Sequence, residues 1–287
     1  MNGNVNPHIK IMFNTDYTGA TNDVNVLDAV GRFEFSDKVN FWVGRFLPPS
    51  DRANLYGPFY AHHWGVFVDG VQDGYPFVYQ GRDNGVMYWG QFKKVKVSGG
   101  IFDGESATGK ATVLSAGRVQ VDFWDPEGGY YLNGTYYGDK NLLAIGAAGQ
   151  VQGSDGSAGN IDFLLERKLG PVGAFSVEAQ WARYHQLGGY PSPTPNGGYE
   201  LLDGGYVLGS YLFPKLTGPG RFELLDKFAR SKYQEGVVPD DVQKTNEFNF
   251  NYLMKQFDAR IMFFYIDTRY DLGLDSKKVG VGFQLQM

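Results

Sequence analysis

The sequence predicts an all-β chain, specifically an antiparallel transmembrane β-barrel, on three observations. Apolar and polar side chains alternate with a period of two in many segments of about ten residues, the length a tilted strand needs to cross a bilayer. Composition agrees: 287 residues hold 40 glycines, 16% aromatic residues and no cysteine. No apolar run of about 18 residues, which a helical membrane protein needs, interrupts the alternation. Finally, short links alternate with longer loops, the layout of a barrel with turns at one end and loops at the other.

Length permits either one large barrel or two soluble domains. The alternation runs end to end, so a single domain over 1–287 is expected. A net charge of −5 does not point to a nucleic-acid partner. Absence of cysteine fits an oxidising envelope compartment. Met1 to Pro7 has neither a basic n-region nor an apolar h-region, and the first strand opens abruptly at His8. A signal peptide and some N-terminal strand are therefore expected upstream.

In the first strand, Ile9, Ile11, Phe13 and Tyr17 share one face and His8, Lys10, Asn14 and Asp16 the other. A polar link, Thr18 to Asp23, leads to a second strand ending near Phe35, and Ser36-Asp37-Lys38 reads as a tight turn. The third strand, Val39 to Phe46, gives way at Pro48-Pro49 to the longest irregular stretch, about 47–83. It carries Tyr56, Phe59, Tyr60, Trp64, Phe67, Tyr75, Phe77 and Tyr79, too much aromatic surface for a solvated loop. It is expected to fold into the barrel and narrow it, with Asp51, Arg52, Asp69, Asp73 and Arg82 facing the channel.

Val86 to Phe92 and Val95 to Ile101 follow, with Lys93-Lys94 as the turn between them. Further strands are expected at about 118–124, 141–151, 160–168, 173–186, 204–213 and 220–231, joined by links such as 169–172 and 187–200. The C-terminal part repeats the theme: Phe248 to Tyr252 alternates, 257–270 is aromatic-rich, and Lys278 to Met287 sets Val279, Val281, Phe283, Leu285 and Met287 against Gly280, Gly282, Gln284 and Gln286. The count is about 14 strands. Aromatic rings near strand ends (Tyr17, Phe46, Trp124, Tyr184, Tyr211, Phe213, Tyr265, Tyr270) fit a belt at the headgroup level.

Four stretches carry a resemblance. They are Val39-Asn-Phe-Trp-Val-Gly-Arg-Phe-Leu-Pro-Pro49, Gly117-Arg-Val-Gln-Val-Asp-Phe-Trp-Asp-Pro126, Gly220-Arg-Phe-Glu-Leu-Leu-Asp-Lys-Phe-Ala-Arg-Ser231, and Asn249-Phe-Asn-Tyr-Leu-Met254 leading into Ala259-Arg-Ile-Met-Phe-Phe-Tyr265. In order and coverage they resemble the phosphate-selective porin O and P family of bacterial outer-membrane channels. The resemblance implies a barrel of about 16 strands in the complete protein, usually a homotrimer, with a long loop folded into the pore. It implies a place in the outer membrane, among bilayer lipid and lipopolysaccharide.

Candidate chemistry reduces to wall charge. His62 and His63 are adjacent on an extended segment and point in opposite directions, so chelation by the pair is awkward and loop packing is the better reading. Asp122, Asp125 and Glu127 read as a polar lining and a turn rather than an acid–base pair. Asp240-Asp241 reads as a solvated loop tip, and Gly153 to Gly159 lacks the strand-to-helix context of a phosphate loop. Lys10, Lys94, Lys96, Arg118, Lys168, Lys227, Arg260 and Lys278 fall opposite the apolar positions, hence on the lumen side. Arg45 would face lipid unless Gly44 bulges the strand. The acids Asp16, Asp122, Asp162, Glu166, Glu178, Glu223 and Glu247 balance the bases.

The expected pore-lining or constriction set is Arg45, Arg52, Arg82, Lys94, Lys96, Arg118, Lys227 and Arg260. No catalytic residue, metal site or cofactor is expected, and the chain is not read as an enzyme. The reading is a porin passing small hydrophilic solutes or ions, phosphate and other anions among them. Two alternatives stay open: a soluble all-β carbohydrate-binding or glycoside hydrolase module, and the barrel sheath of an electron conduit whose haem would sit on a partner.

Overall fold

The computed structural model describes residues 2–18, 22–66, 71, 81–104, 113–153, 156–185, 201–234 and 239–286. Fifteen strands pair strictly in chain order into one sheet. They are β1 Asn2–Asn6, β2 Ile9–Thr18, β3 Asp23–Glu34, β4 Asn40–Phe46, β5 Asp83–Phe92, β6 Val95–Phe102, β7 Leu114–Asp122 and β8 Leu142–Gln152. Then come β9 Gly156–Lys168, β10 Ala174–His185, β11 Leu201–Leu212, β12 Arg221–Gln234, β13 Asp241–Lys255, β14 Ala259–Tyr270 and β15 Ser276–Leu285. Every pair is antiparallel; the ladder shifts register only in β1–β2, β2–β3 and β13–β14. A meander of this kind follows from short links between strands of period two, because each link returns the chain beside the strand it left. One short helix, α1, spans Arg52–Tyr56.

The two faces of the sheet are inverted relative to a soluble protein. On β13, Phe248 is 46% exposed while its neighbours Glu247 and Asn249 are at most 1% exposed. Ile161, Trp181, Val207, Phe228, Phe263 and Val281 are likewise exposed on their strands, and Asp162, Gln180, Lys227 and Gly282 lie buried on the opposite side. A continuous apolar outer band with charge inside is stable only if lipid covers the band. Outer rings also pack across strands: Phe222 stacks on Phe250 at 4.8 Å, and Phe250 meets Phe263 at 6.4 Å.

Inside, an apolar cluster shares the enclosed space with the charges. Trp42 forms its hub, edge-on to Phe46, Trp89, Tyr130 and Tyr131 at 5.1–6.4 Å. Leu47, Leu55, Met87, Phe102, Leu132, Tyr184 and Tyr206 extend it.

Three sequence expectations are corrected. Among the described residues the strand count is 15, not about 14: Asn2–Asn6 pairs with Ile9–Met12, a strand too polar and too short to show as alternation. An odd count makes β1 and β15 run in the same direction, and the sheet contains no β1–β15 pairing among the described residues. Phe46 and Tyr184 are buried on the inner face and so do not join a headgroup belt. Lastly, the links do not alternate strictly in length. Residues 156–159 belong to β9 rather than to a loop, whereas the link from β7 to β8 runs over 123–141, far beyond a turn.

Candidate functional site: the barrel lumen

Two segments enter the enclosed space from opposite ends, because the β4–β5 and β7–β8 links lie on opposite edges of the sheet. The first is residues 47–66. Pro48 and Pro49 have no N–H to give a ladder, so pairing stops there. Asp51 then caps α1, its side chain accepting from Asn54 N at 2.9 Å, and Gly57 closes it in the left-handed region at φ 56°. From α1 onward the segment bonds to strands far apart round the sheet: Asp162 on β9, Glu178 on β10, Glu223 on β12, and Glu247, Asn249 and Asn251 on β13. Only a segment on the concave side reaches all of them.

The second segment is 123–141. Glu166 on β9 anchors it by accepting from Thr135 Oγ1 at 2.8 Å, Tyr136 N at 2.8 Å and Gly138 N at 2.6 Å. It meets the first segment in the lumen: Gly134 N donates to the Tyr60 carbonyl at 2.9 Å, Leu132 N to the Leu55 carbonyl at 3.4 Å, and the Tyr130 hydroxyl to the Leu47 carbonyl at 2.8 Å.

Charge is concentrated in two groups. In the first, Arg118 grips Asp162 with both guanidinium nitrogens, at 2.5 and 2.8 Å, a bidentate geometry that favours arginine over lysine. Gly146 makes the room, since a Cβ there would overlap the Arg118 guanidinium. Arg52 sits beside this pair, its backbone N–H donating to Asp162 at 3.2 Å. Its guanidinium forms a double contact with Glu127 and a 2.9 Å bond to the Asn133 carbonyl. Gln120 donates to Glu127 at 2.7 Å and to Asp122 at 2.8 Å. Lys96 Nζ is buried with no hydrogen-bond partner among the described residues, facing a cavity of about 10 Å³ lined by Arg118, Gln120, Ser98 and Tyr130.

In the second group, His62 Nδ1 lies 3.0 Å from Glu223 and His63 Nε2 lies 3.0 Å from Lys227 Nζ. Burial first, then the Lys227 charge, holds His63 well below its ordinary value, so it stays neutral. Lys227 also sits 4.3 Å from the Tyr206 ring centre. The Trp64 ring stacks on Phe264 at 4.8 Å and covers Gly282, where a side chain would overlap it.

Of the sequence-predicted set, Arg52, Arg118 and Lys96 come together in the first group and Lys227 lies in the second. Arg260 is buried toward the turn end, bonded to Gln284 and 3.4 Å from the Tyr137 hydroxyl. Arg82 pairs with Asp28 at 3.3 Å. Two members lie elsewhere. Lys94 is exposed in a turn, bonding the Phe123 carbonyl at 2.5 Å. Arg45 shares the outward face of Phe41 and Val43, because the ladders on both sides run through Gly44 without a bulge. Asp51 serves as a helix cap, and Asp69, Asp73, Phe67, Tyr75, Phe77 and Tyr79 lie outside the described residues.

Sequence reasoning missed segment 123–141 and the role of Glu127. The signal was present: Trp124, Tyr130, Tyr131, Leu132, Tyr136 and Tyr137 carry the same surplus of apolar surface that marked 47–83. Lumen wall positions left partly exposed include Lys10, Asn14, Asp16, Arg32 and Glu34 on β2 and β3, Ser98 on β6, and Gly280 and Gln284 on β15.

No protein-family model and no curated protein matches the sequence. Solved structures do match in shape. A loop-deletion mutant of OmpT, an outer membrane protein of Vibrio cholerae, superposes with TM-score 0.61 at 12% identity over 99% of this chain and 87% of that one. The trimer form of in-vitro folded OmpT gives TM-score 0.55 at 12% identity over 97% and 84%. An anion-selective porin from Comamonas acidovorans gives 0.54 at 14% identity over 99% and 82%. The fold is that of a bacterial outer-membrane β-barrel.

Proposed function

We propose that the chain is an outer-membrane porin through which small hydrophilic solutes or ions diffuse passively. The observation that carries this reading is the inverted sheet: an apolar outer face around an inner wall of paired charge, with residues 47–66 folded inside. A wall of that kind suits an aqueous path across lipid, since lumen charge is tolerated where lipid-facing charge costs about 2–4 kcal/mol. Part of that wall, on β2 and β3, stays partly exposed. Its charges are mixed, with Lys10 on Glu34 at 2.6 Å, which favours weak selectivity over strict phosphate or anion binding. The anion-selective porin among the structural neighbours keeps anion preference as the finer reading. Arg52, Arg118, Lys96, Lys227 and Arg260 are its constriction candidates. A homotrimer in bilayer and lipopolysaccharide is the proposed assembly, on the precedent of the trimeric neighbour.

The test is reconstitution of the refolded protein in planar bilayers. Discrete conductance steps with weak ion preference that fades as salt rises are expected, because the screening length falls to about 3 Å at 1 M. Saturable block by phosphate would move the reading to a phosphate-selective channel, and a detergent-independent soluble monomer would overturn it.

A further inference from the structure

At the turn end, where the links 123–141, 169–173 and 213–220 come together, a cleft of about 320 Å³ opens. Two cations line it. Lys168 ends β9 two residues past the buried Glu166, and Arg221 starts β12 two residues before the buried Glu223, so a period of two puts both on the inner face. Both are exposed, and neither side chain has an ion-pair or hydrogen-bond partner among the described residues. Against them the lining holds one carboxylate, Asp139, which accepts from Gln256 at 2.6 Å. Glu166 is occupied by Thr135, Tyr136 and Gly138, and Asp258 pairs with Lys255 at 3.0 Å. The cleft therefore keeps positive charge that no protein group answers. Its floor is main chain. Gly138 and Gly173 hold φ of 81° and 125°, and a Cβ on either would strike Ala174 or the Leu212 carbonyl.

We propose that this cleft is a binding site for a small organic carboxylate at the turn-end mouth of the lumen. The geometry stands without the porin reading, and the role as a solute mouth rests on it. Deeper in the lumen, Arg52 and Arg118 are already closed on Glu127 and Asp162, whereas Arg221 and Lys168 have their donors unspent. A carboxylate takes the Arg221 fork in two parallel bonds and the Lys168 ammonium as a point charge. Volume decides the class of anion. A space of about 320 Å³ holds roughly ten waters and lies within the range of small-molecule sites. An inorganic oxyanion fills little of it, while an organic body fills the rest against Leu212 and Phe213. A second cavity of about 250 Å³ shares Arg221, Tyr137 and Leu212, which leaves room for a longer body.

Refolded protein in detergent micelles is dialysed to equilibrium against radiolabelled benzoate, with protein-free micelles as the blank. Wild type is compared with Lys168→Gln/Arg221→Gln and with Arg221→Lys, each checked for folding by the gel shift between boiled and unboiled samples. The expected result is saturable binding of one benzoate per chain, weakened at least tenfold in the double variant. Arg221→Lys, which keeps the charge but not the fork, should weaken it at least threefold. Unlabelled hexanoate should displace the label at least tenfold better than inorganic phosphate or benzyl alcohol. Binding that is absent from folded wild type, or equal in the double variant, overturns the site. Phosphate that displaces the label as well as hexanoate does overturns the organic class. Should the double variant fail to fold, Arg221→Lys decides alone. Dialysis needs no conduction, so silence in planar bilayers overturns the porin reading separately, and the role as a solute mouth with it, while the binding result stands on its own.

Discussion

Replacing Phe263 with arginine places a charge where the fold requires hydrocarbon. Phe263 lies four residues beyond Ala259, the start of β14, so about 10 Å into the apolar band for a strand tilted about 40°. Its side chain points outward between Phe250 and Val281. A lipid-facing arginine near the midplane costs about 2–4 kcal/mol. Loss of the ring pair with Phe250, 6.4 Å away, adds about 0.5–1.5 kcal/mol. The sum, about 2.5–5.5 kcal/mol, lowers the folded-to-unfolded ratio by about two to four orders of magnitude. Urea titration of the protein folded into phospholipid vesicles, read by gel shift and tryptophan fluorescence, measures it. Phe263→Leu serves as the apolar control, and Asn14→Arg as the lumen control, since Asn14 faces inward 2.9 Å from the Asp28 carboxylate. Each control is expected within about 1.5 kcal/mol of wild type. If Phe263→Arg is no worse than Asn14→Arg, the outer face does not contact lipid and the barrel reading fails.

Further expectations concern the inner segments. Excising residues 53–78 with a short glycine linker should raise single-channel conductance; an unchanged value would mean that the segment does not limit flow. Adding a methyl at Gly282 forces the Trp64 ring off its site against Phe264, an overpacking change that costs about 1–3 kcal/mol; an unaltered tryptophan emission spectrum and an unchanged urea midpoint would refute it. Acid should act in two steps. His63 is held neutral in the fold below its ordinary 6.5, so the unfolded chain binds the extra proton and stability falls as pH drops from about 6.5. For Glu127, burial favours the neutral acid, but the Arg52 charge outweighs it and holds the carboxyl below its ordinary 4.5; its contribution is present above that pH and is lost as pH falls further. His63→Gln should remove the first step from the melting-temperature profile and keep the second; an unchanged profile would rule out His63 as its source.

The sequence alone determined which side of each strand meets lipid. Phe248, Phe250 and Tyr252 against Asn249 and Asn251 is a one-dimensional pattern, and a period of two converts it directly into two faces. It also marked the chain after Phe46 as packing inward, because proline ends the strand pairing and aromatic surface avoids water, and of that stretch 47–66 lie against the inner wall. Local pattern could not supply partners. That Arg118 closes on Asp162, 44 residues away, depends on β7 and β9 flanking β8 in register, with Gly146 leaving the gap between them. Arg45 turned on a single expected bulge, and only the unbroken ladders around Gly44 decided it. Glu127 read as a turn residue until the chain closed into a sheet, because the arginine it meets comes from the opposite end of the barrel. Strand faces are set by neighbours in sequence, whereas the lumen is assembled from residues that curvature alone brings together, and it is there that tertiary structure placed the charges.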